Sequence, residues 1–218
     1  MQHIQTSLHH RTRDAKIKTG QKHPTLVLLH GRGADENDLL SLADYLDERL
    51  FLVSVRAPFQ FPAGGGYTWY DLLEVEKPEP KMFDESYQKL IRFMDDICRE
   101  YPVDPARLFL CGFSMGTIMS YALALTKPGT FAGVIANSGY VPEQAGLTFD
   151  WHQIRRKPFF VSHGLYDPVI PVSFGRRAKD LLQKAEADLS YREYESGHQF
   201  GEDVLNDIMR WLPRYIGG

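Results

Sequence analysis

Polar and apolar positions in this chain switch between two periods from about residue 24 onward. Thr25–Leu29 is a continuous apolar run, as expected of a strand buried on both faces. Leu39, Leu42, Ala43 and Leu46 follow at helical spacing. Phe51–Val55 predicts the next strand. Between Asp84 and Tyr101, the residues Tyr87, Leu90, Ile91, Met94, Ile97 and Cys98 share one face, the strongest helical signal present. Arg107–Cys111, Phe131–Ala136, Pro158–Ser162 and Leu189–Glu195 predict further strands. Helical patterns separate or follow them, centred on Ile118 and Met119, on Ala178 and Leu182, and on Leu205 and Ile208.

Repeated strand–helix units predict an α/β fold with a mostly parallel central sheet and helices on both faces. The stretch up to about His23 predicts one or two antiparallel strands at one edge. Two irregular stretches stand apart: Ala57 to Met82, which contains Gly64-Gly65-Gly66, and Gly139 to Lys157. Long loops in a compact domain are often functional. In a parallel sheet, loops after the carboxyl ends of strands line the ligand crevice. The 218 residues suit one domain over 1–218 and leave no room for a large cap domain.

Composition narrows the possibilities. A net charge of −3 with scattered lysine and arginine gives nucleic acid and anionic membranes nothing to hold. Arg11, Arg13, Lys16, Lys18 and Lys22 gather near the start, alternating with polar residues, and predict a solvated hairpin. No run approaches the roughly 18 apolar residues of a membrane span. The first residues, Met1 to Thr6, lack the apolar core of a secretory signal. Cys98 and Cys111 fall on a predicted helix and a predicted buried strand, so both read as free thiols and the expected location is the cytoplasm. Monomer and homodimer both remain open.

Ser114 carries the sharpest chemical signal. It stands in Gly112-Phe113-Ser114-Met115-Gly116, after an apolar strand and before a helix. The bare G-x-S-x-G pattern arises by chance in roughly one chain of this length in ten or twenty. Its strand–turn–helix setting is what gives it meaning, because a sharp turn there holds the hydroxyl above the sheet edge. A serine hydroxyl needs a base beside it at neutral pH.

Of eight histidines, His3, His9, His10 and His23 lie in the polar N-terminal region and His152 in an irregular stretch. His30, His163 and His198 each follow a predicted strand. His30 and His163 precede glycines and suit buried structural roles. His198, in Ser196-Gly197-His198-Gln199-Phe200, is the preferred base, although alone it reads equally as a structural or solvent histidine. Asp167 follows the strand Pro158–Ser162 and would hold the base's tautomer. By itself it also reads as a turn residue before Pro168. The order serine, aspartate, histidine, each after a strand, is that of an α/β-hydrolase.

An oxyanion needs two donors. The backbone N–H of Met115 is one. The loop His30-Gly31-Arg32-Gly33-Ala34-Asp35 supplies the other, with Arg32 preferred over Gly31. No Gly-Lys-Ser/Thr follows that loop, which argues against a phosphate site. Asp35, Glu36 and Asp38 lack metal-ligand spacing and predict a helix N-terminus. No cofactor or metal is expected.

The segments Leu28-Leu29-His30-Gly31-Arg32-Gly33, Gly112–Gly116, Gly164-Leu165-Tyr166-Asp167-Pro168-Val169-Ile170-Pro171 and Gly197-His198 resemble the phospholipase/carboxylesterase family of α/β-hydrolases. That family includes small bacterial carboxylesterases and eukaryotic acyl-protein thioesterases. The resemblance runs through nearly the whole chain. It implies Ser114, Asp167 and His198 as a catalytic triad, and Arg32 and Met115 as oxyanion donors. Trp69-Tyr70-Asp71 is similar to the family's Trp-Phe-Asp segment near the acyl site. Acyl-protein thioesterases typically carry an apolar residue, Gln and Gly where this chain has Arg32, Met115 and Thr117. The chain is therefore more similar to the bacterial esterase branch, some of whose members are linked to hydroquinone metabolism.

Phe59, Phe61, Tyr67, Trp69, Tyr70, Met115, Val169 and Phe200 are candidates for an apolar pocket or for loop packing, with Trp69, Tyr70, Val169 and Phe200 the expected substrate contacts. The expected activity is hydrolysis of small to medium carboxylic esters through an acyl-enzyme. A thioesterase, a lysophospholipase and a non-catalytic ligand receptor on the same fold are the alternatives.

Overall fold

The computed structural model describes residues 6–18, 20–74 and 76–217. His3 and most of the Met1–Thr6 stretch that lacks a signal-like apolar core lie outside them. Eleven strands and four α-helices run in chain order among these residues: β1 His10–Arg13, β2 His23–Leu29, β3 Phe51–Val55, β4 Phe59–Gln60, β5 Tyr67–Thr68, β6 Leu72–Glu74, β7 Lys77–Pro78, α1 Pro80–Glu100, β8 Val103–Phe113, α2 Met115–Thr126, β9 Gly133–Asn137, β10 Pro158–Gly164, α3 Val172–Lys184, β11 Asp188–Tyr194 and α4 Glu202–Trp211. Seven of the strands form one sheet in the order β1-β3-β2-β8-β9-β10-β11. Only β1 is antiparallel, paired to β3 with Arg11 opposite Ser54.

The continuous apolar runs become the buried centre of that sheet. Every residue of β2 is buried. Its alternate residues feed two cores: Val27 and Leu29 face α1, α2 and α3, while Leu26 and Leu28 face α4 and the Leu39–Leu50 segment. α2 is buried along almost its whole length, which fits its apolar residues on all sides. α1 presents one apolar face and opens on Pro80, with the Glu79 carboxylate accepting the Met82 N–H at 2.7 Å.

Three expectations are corrected. The basic N-terminal segment is not a hairpin: β1 pairs with β3, and β3 separates it from β2. The helix expected around Leu39–Leu46 shrinks to one 3₁₀ turn, Leu39–Leu42. Short polar side chains there bond to nearby backbone instead of allowing a regular helix. Ser41 Oγ donates to the Asp38 carbonyl at 2.6 Å, and Asp47 Oδ1 accepts the Arg49 N–H at 3.0 Å. The acidic trio does not sit at an α-helix N-terminus.

Glu36 is instead buried against Arg56, which donates to both its carboxylate oxygens at 2.6 Å. Arg56 also donates to the Tyr67 hydroxyl at 3.1 Å and lies over that ring. Tyr67 in turn pairs with the loop after β2, accepting from Gly33 N and donating to Ala34 O, both at 2.8 Å. The ion pair thus braces the loop that carries Arg32.

The Arg56 guanidinium holds the Glu36 carboxyl down to about 2 from an ordinary 4.5. A depressed carboxylate contributes stability above its unfolded pKa and loses it as pH falls through the folded value. The contribution is at most about 3 kcal/mol at neutral pH. Glu36→Gln should therefore lower the urea midpoint clearly at pH 7, and the gap to wild type should narrow as pH falls from 4.5 toward 2. A gap independent of pH would contradict the assignment.

Candidate active site

β8 ends at Phe113, and α2 begins at Met115. Ser114 between them has φ 53° and ψ −117°, a conformation unfavourable for a residue with a side chain. Flanking packing forces it. A Cβ on Gly112 would come within 2.5 Å of Gly116 and Thr117 backbone atoms, and one on Gly116 would overlap the Leu29 carbonyl of β2. The turn is therefore closed against both its own helix and the neighbouring strand. Ser114 N donates to the Asn137 carbonyl at the end of β9, at 3.0 Å.

Two further loops meet Ser114, one after β10 and one after β11. Asp167 Oδ1 accepts the Val169 and Ile170 N–H groups, each at 2.8 Å. Its other oxygen, Oδ2, lies 2.7 Å from His198 Nδ1. An ionised carboxylate only accepts, so Nδ1 carries the hydrogen and Nε2 is left with a lone pair. That Nε2 lies 2.8 Å from Ser114 Oγ, which donates to it. The two loops are clasped together: Tyr166 N donates to the Ser196 carbonyl at 3.0 Å, and a Cβ on Gly164 would overlap Gly197. The Phe113 ring packs on the His198 ring at 5.0 Å, and Asn137 Nδ2 donates to the Gln199 carbonyl at 3.2 Å.

The loop after β2 lies directly against the serine. A Cβ on Gly31 would stand 3.4 Å from Ser114 Cβ. The backbone N–H groups of Arg32 and Met115 donate to no backbone carbonyl among the described residues, so both remain free for another acceptor. The Arg32 guanidinium leans outward, 4.6 Å above the Phe61 ring and 3.5 Å from Asp71 Oδ1.

A cavity of about 120 Å³ opens beside Ser114. Tyr70, Met115, Ile118, Tyr140 and Ile170 line it, with Arg32 and the exposed Val169 at its rim. Two expected contacts stand elsewhere. Trp69 is fully buried behind the wall, its indole N–H donating to the His30 carbonyl at 2.9 Å. Phe200 packs toward Phe113 in the α4-side core. Ile118, Ile170 and Tyr140 are cavity residues beyond those the sequence pattern points to. Ile118 was within reach, one helical turn beyond Ser114. Tyr140 sits in the irregular stretch after β9, where no local pattern points at the cavity.

His30 and His163 are buried, as expected of structural histidines. His30 Nδ1 donates to the Gly31 carbonyl at 2.6 Å, while Nε2 accepts Ala57 N–H at 3.1 Å. Desolvation holds its pKa below the ordinary histidine value. Among the described residues, no group of three or more His, Cys, Asp or Glu could hold a metal ion, and no helix is long and apolar enough to cross a membrane.

This sheet, with helices on both faces and a serine at a strand-to-helix turn, has the architecture of the α/β-hydrolases. The chain belongs to the phospholipase/carboxylesterase family, whose model matches residues 13–216. It is thereby a hydrolase of the serine-hydrolase type. Acyl-protein thioesterase 1 of Saccharomyces cerevisiae is 26% identical over 220 residues, covering 93% of this chain and 96% of the relative. Carboxylesterase SOBER1 of Arabidopsis thaliana is 25% identical over 158 residues, covering 69% of each. The Bacillus cereus carboxylesterase structure superposes with a TM-score of 0.84 at 24% identity, covering 95% of this chain and 94% of the other, and supports the fold.

The closeness of the turn predicts a sharp response to a single methyl group. Gly116→Ala should cost at least about 4 kcal/mol or abolish soluble expression, because the Leu29 strand carbonyl cannot move aside. A folded Gly116→Ala protein with wild-type thermal midpoint would contradict this packing.

Proposed function

We propose that the protein is a serine carboxylesterase for small to medium carboxylic esters. Ser114 Oγ attacks the ester carbonyl while His198 Nε2 takes its proton. Asp167 holds the imidazole in the required tautomer and stabilises the imidazolium. The oxyanion rests on the Arg32 and Met115 N–H groups. His198 then returns the proton to the leaving alcohol, and a water molecule, activated in the same way, releases the acid from the acyl-enzyme.

One observation carries this reading. Asp167, His198 and Ser114 form a continuous hydrogen-bonded chain with steps of 2.7 and 2.8 Å, at the wall of the cavity. The free N–H groups nearby support the oxyanion role, since such donors are worth most when already oriented. The cavity favours short substrates. At about 120 Å³ it is small beside the roughly 300–1,000 Å³ of pockets that take drug-sized ligands. A longer acyl chain would leave its end on the surface.

The similarity to acyl-protein thioesterases keeps a thioesterase as a second reading, and chain length separates the two. Hydrolysis of p-nitrophenyl esters should peak at short acyl chains and fall steeply toward decanoate. A maximum at the longest chain would favour the thioesterase.

A fluorophosphonate should label Ser114, and Ser114→Ala should lose both labelling and ester turnover. Unchanged turnover in that variant rejects the mechanism. Asp167→Asn should lower kcat by about 10⁴, because an amide can impose the opposite tautomer on His198.

A further inference from the structure

We infer that His163 is a positioning residue for Asp167, closing the loop that carries this carboxylate and keeping it in register with His198. The inference rests on the catalytic reading above and adds a residue to it. His163 is the penultimate residue of β10, just before the Asp167 loop, and its side chain is 1% exposed. Its Nε2 lies 2.7 Å from the Ile170 carbonyl. A carbonyl can only accept, so Nε2 carries the hydrogen. The Ile170 N–H in turn donates to Asp167 Oδ1 at 2.8 Å. One imidazole therefore ties the start of the loop to its end, with Asp167 held between.

The same Nε2 stands 3.5 Å from Asp167 Oδ2, the oxygen that accepts from His198. Its hydrogen points toward Ile170, so its dipole flanks the carboxylate without taking the place of His198. The titratable groups facing His163 are Asp167 on its own loop, His198 after β11 and Glu193 on β11. Desolvation outweighs the two carboxylates and lowers the His163 pKa. A neutral ring suits the task. A charged one would compete with His198 for Oδ2. The other nitrogen, Nδ1, has no hydrogen-bond partner among the described residues and faces Gly175 of α3. A Cβ on Gly175 would approach Nδ1 to 2.7 Å, so the helix clamps the ring in this orientation.

Three variants test the assignment: His163→Leu, His163→Gln and Gly175→Ala. Each is assessed by thermal midpoint, by kcat and KM for p-nitrophenyl butyrate across pH, and by the deshielded NMR resonance of the His198 Nδ1 hydrogen. His163→Leu should lower kcat by about 10- to 100-fold, as sub-ångström to ångström displacements of catalytic groups do, with KM changed less than about 2-fold. The acid limb of kcat/KM should move to lower pH, because a displaced Asp167 stabilises the His198 imidazolium less. The resonance should broaden or move upfield.

His163→Gln retains an N–H for the Ile170 carbonyl and should recover most of kcat. Gly175→Ala leaves every hydrogen-bonding group present, crowds the ring and should lower kcat in the same direction. A folded His163→Leu protein with wild-type kcat, acid limb and resonance overturns the inference, as does a loss confined to the thermal midpoint. Absence of fluorophosphonate labelling at Ser114 in the wild type would instead defeat the catalytic reading. The resonance would still decide whether His163 holds Asp167 against His198.

Discussion

The site depends on a backbone that has no room to relax. Ser114 adopts a positive φ because Gly112, Gly116 and the Leu29 carbonyl are in van der Waals contact around it. Unfavourable φ/ψ values survive only where surrounding structure over-determines them. Here the constraint comes from the sheet centre. β8 lies between β2 and β9, and β2, whose Leu29 carbonyl packs against the turn, is buried along its whole length. Core packing and the orientation of one hydroxyl are thus the same structural fact.

The partners of that hydroxyl arrive by a different route. Asp167 and His198 sit on separate loops, and neither loop has a core of its own. They are held by hydrogen bonds at both ends: Asp167 by two backbone N–H groups, the His198 loop by Asn137 and by Tyr166 N–H to Ser196 O. Asn137 links the two routes, because its carbonyl also accepts from Ser114 N and from Thr117 Oγ1. The carboxyl end of β9 is therefore where the rigid turn and the two loops are brought into one register.

The loop that carries Arg32 shows how a charge pattern can mislead. Asp35, Glu36 and Asp38 read as a helix N-terminus because local spacing is all that sequence displays. In the fold, Glu36 is buried against Arg56, twenty residues away, and the pair steadies the loop through Tyr67. Local acidity was visible, whereas the distant guanidinium that neutralises it was not. Trp69 is a similar case. Its place beside Tyr70 pointed to the pocket, yet successive residues face different ways, and only Tyr70 reaches the cavity wall.

By itself the sequence determined the alternation of strands and helices, the parallel sheet with helices on both faces, and the order in which serine, aspartate and histidine follow their strands. These are legible because buried strands need continuous apolar runs, amphipathic helices need a 3.6-residue repeat, and a strand-to-helix turn of this sharpness needs glycines at fixed offsets. Tertiary structure alone decided which aromatic side chains line the cavity, that the early basic segment pairs with β3 across the sheet edge, and that Glu36 belongs to Arg56. Each of these depends on contacts between residues far apart in the chain, and no local period encodes the distance between them once folded.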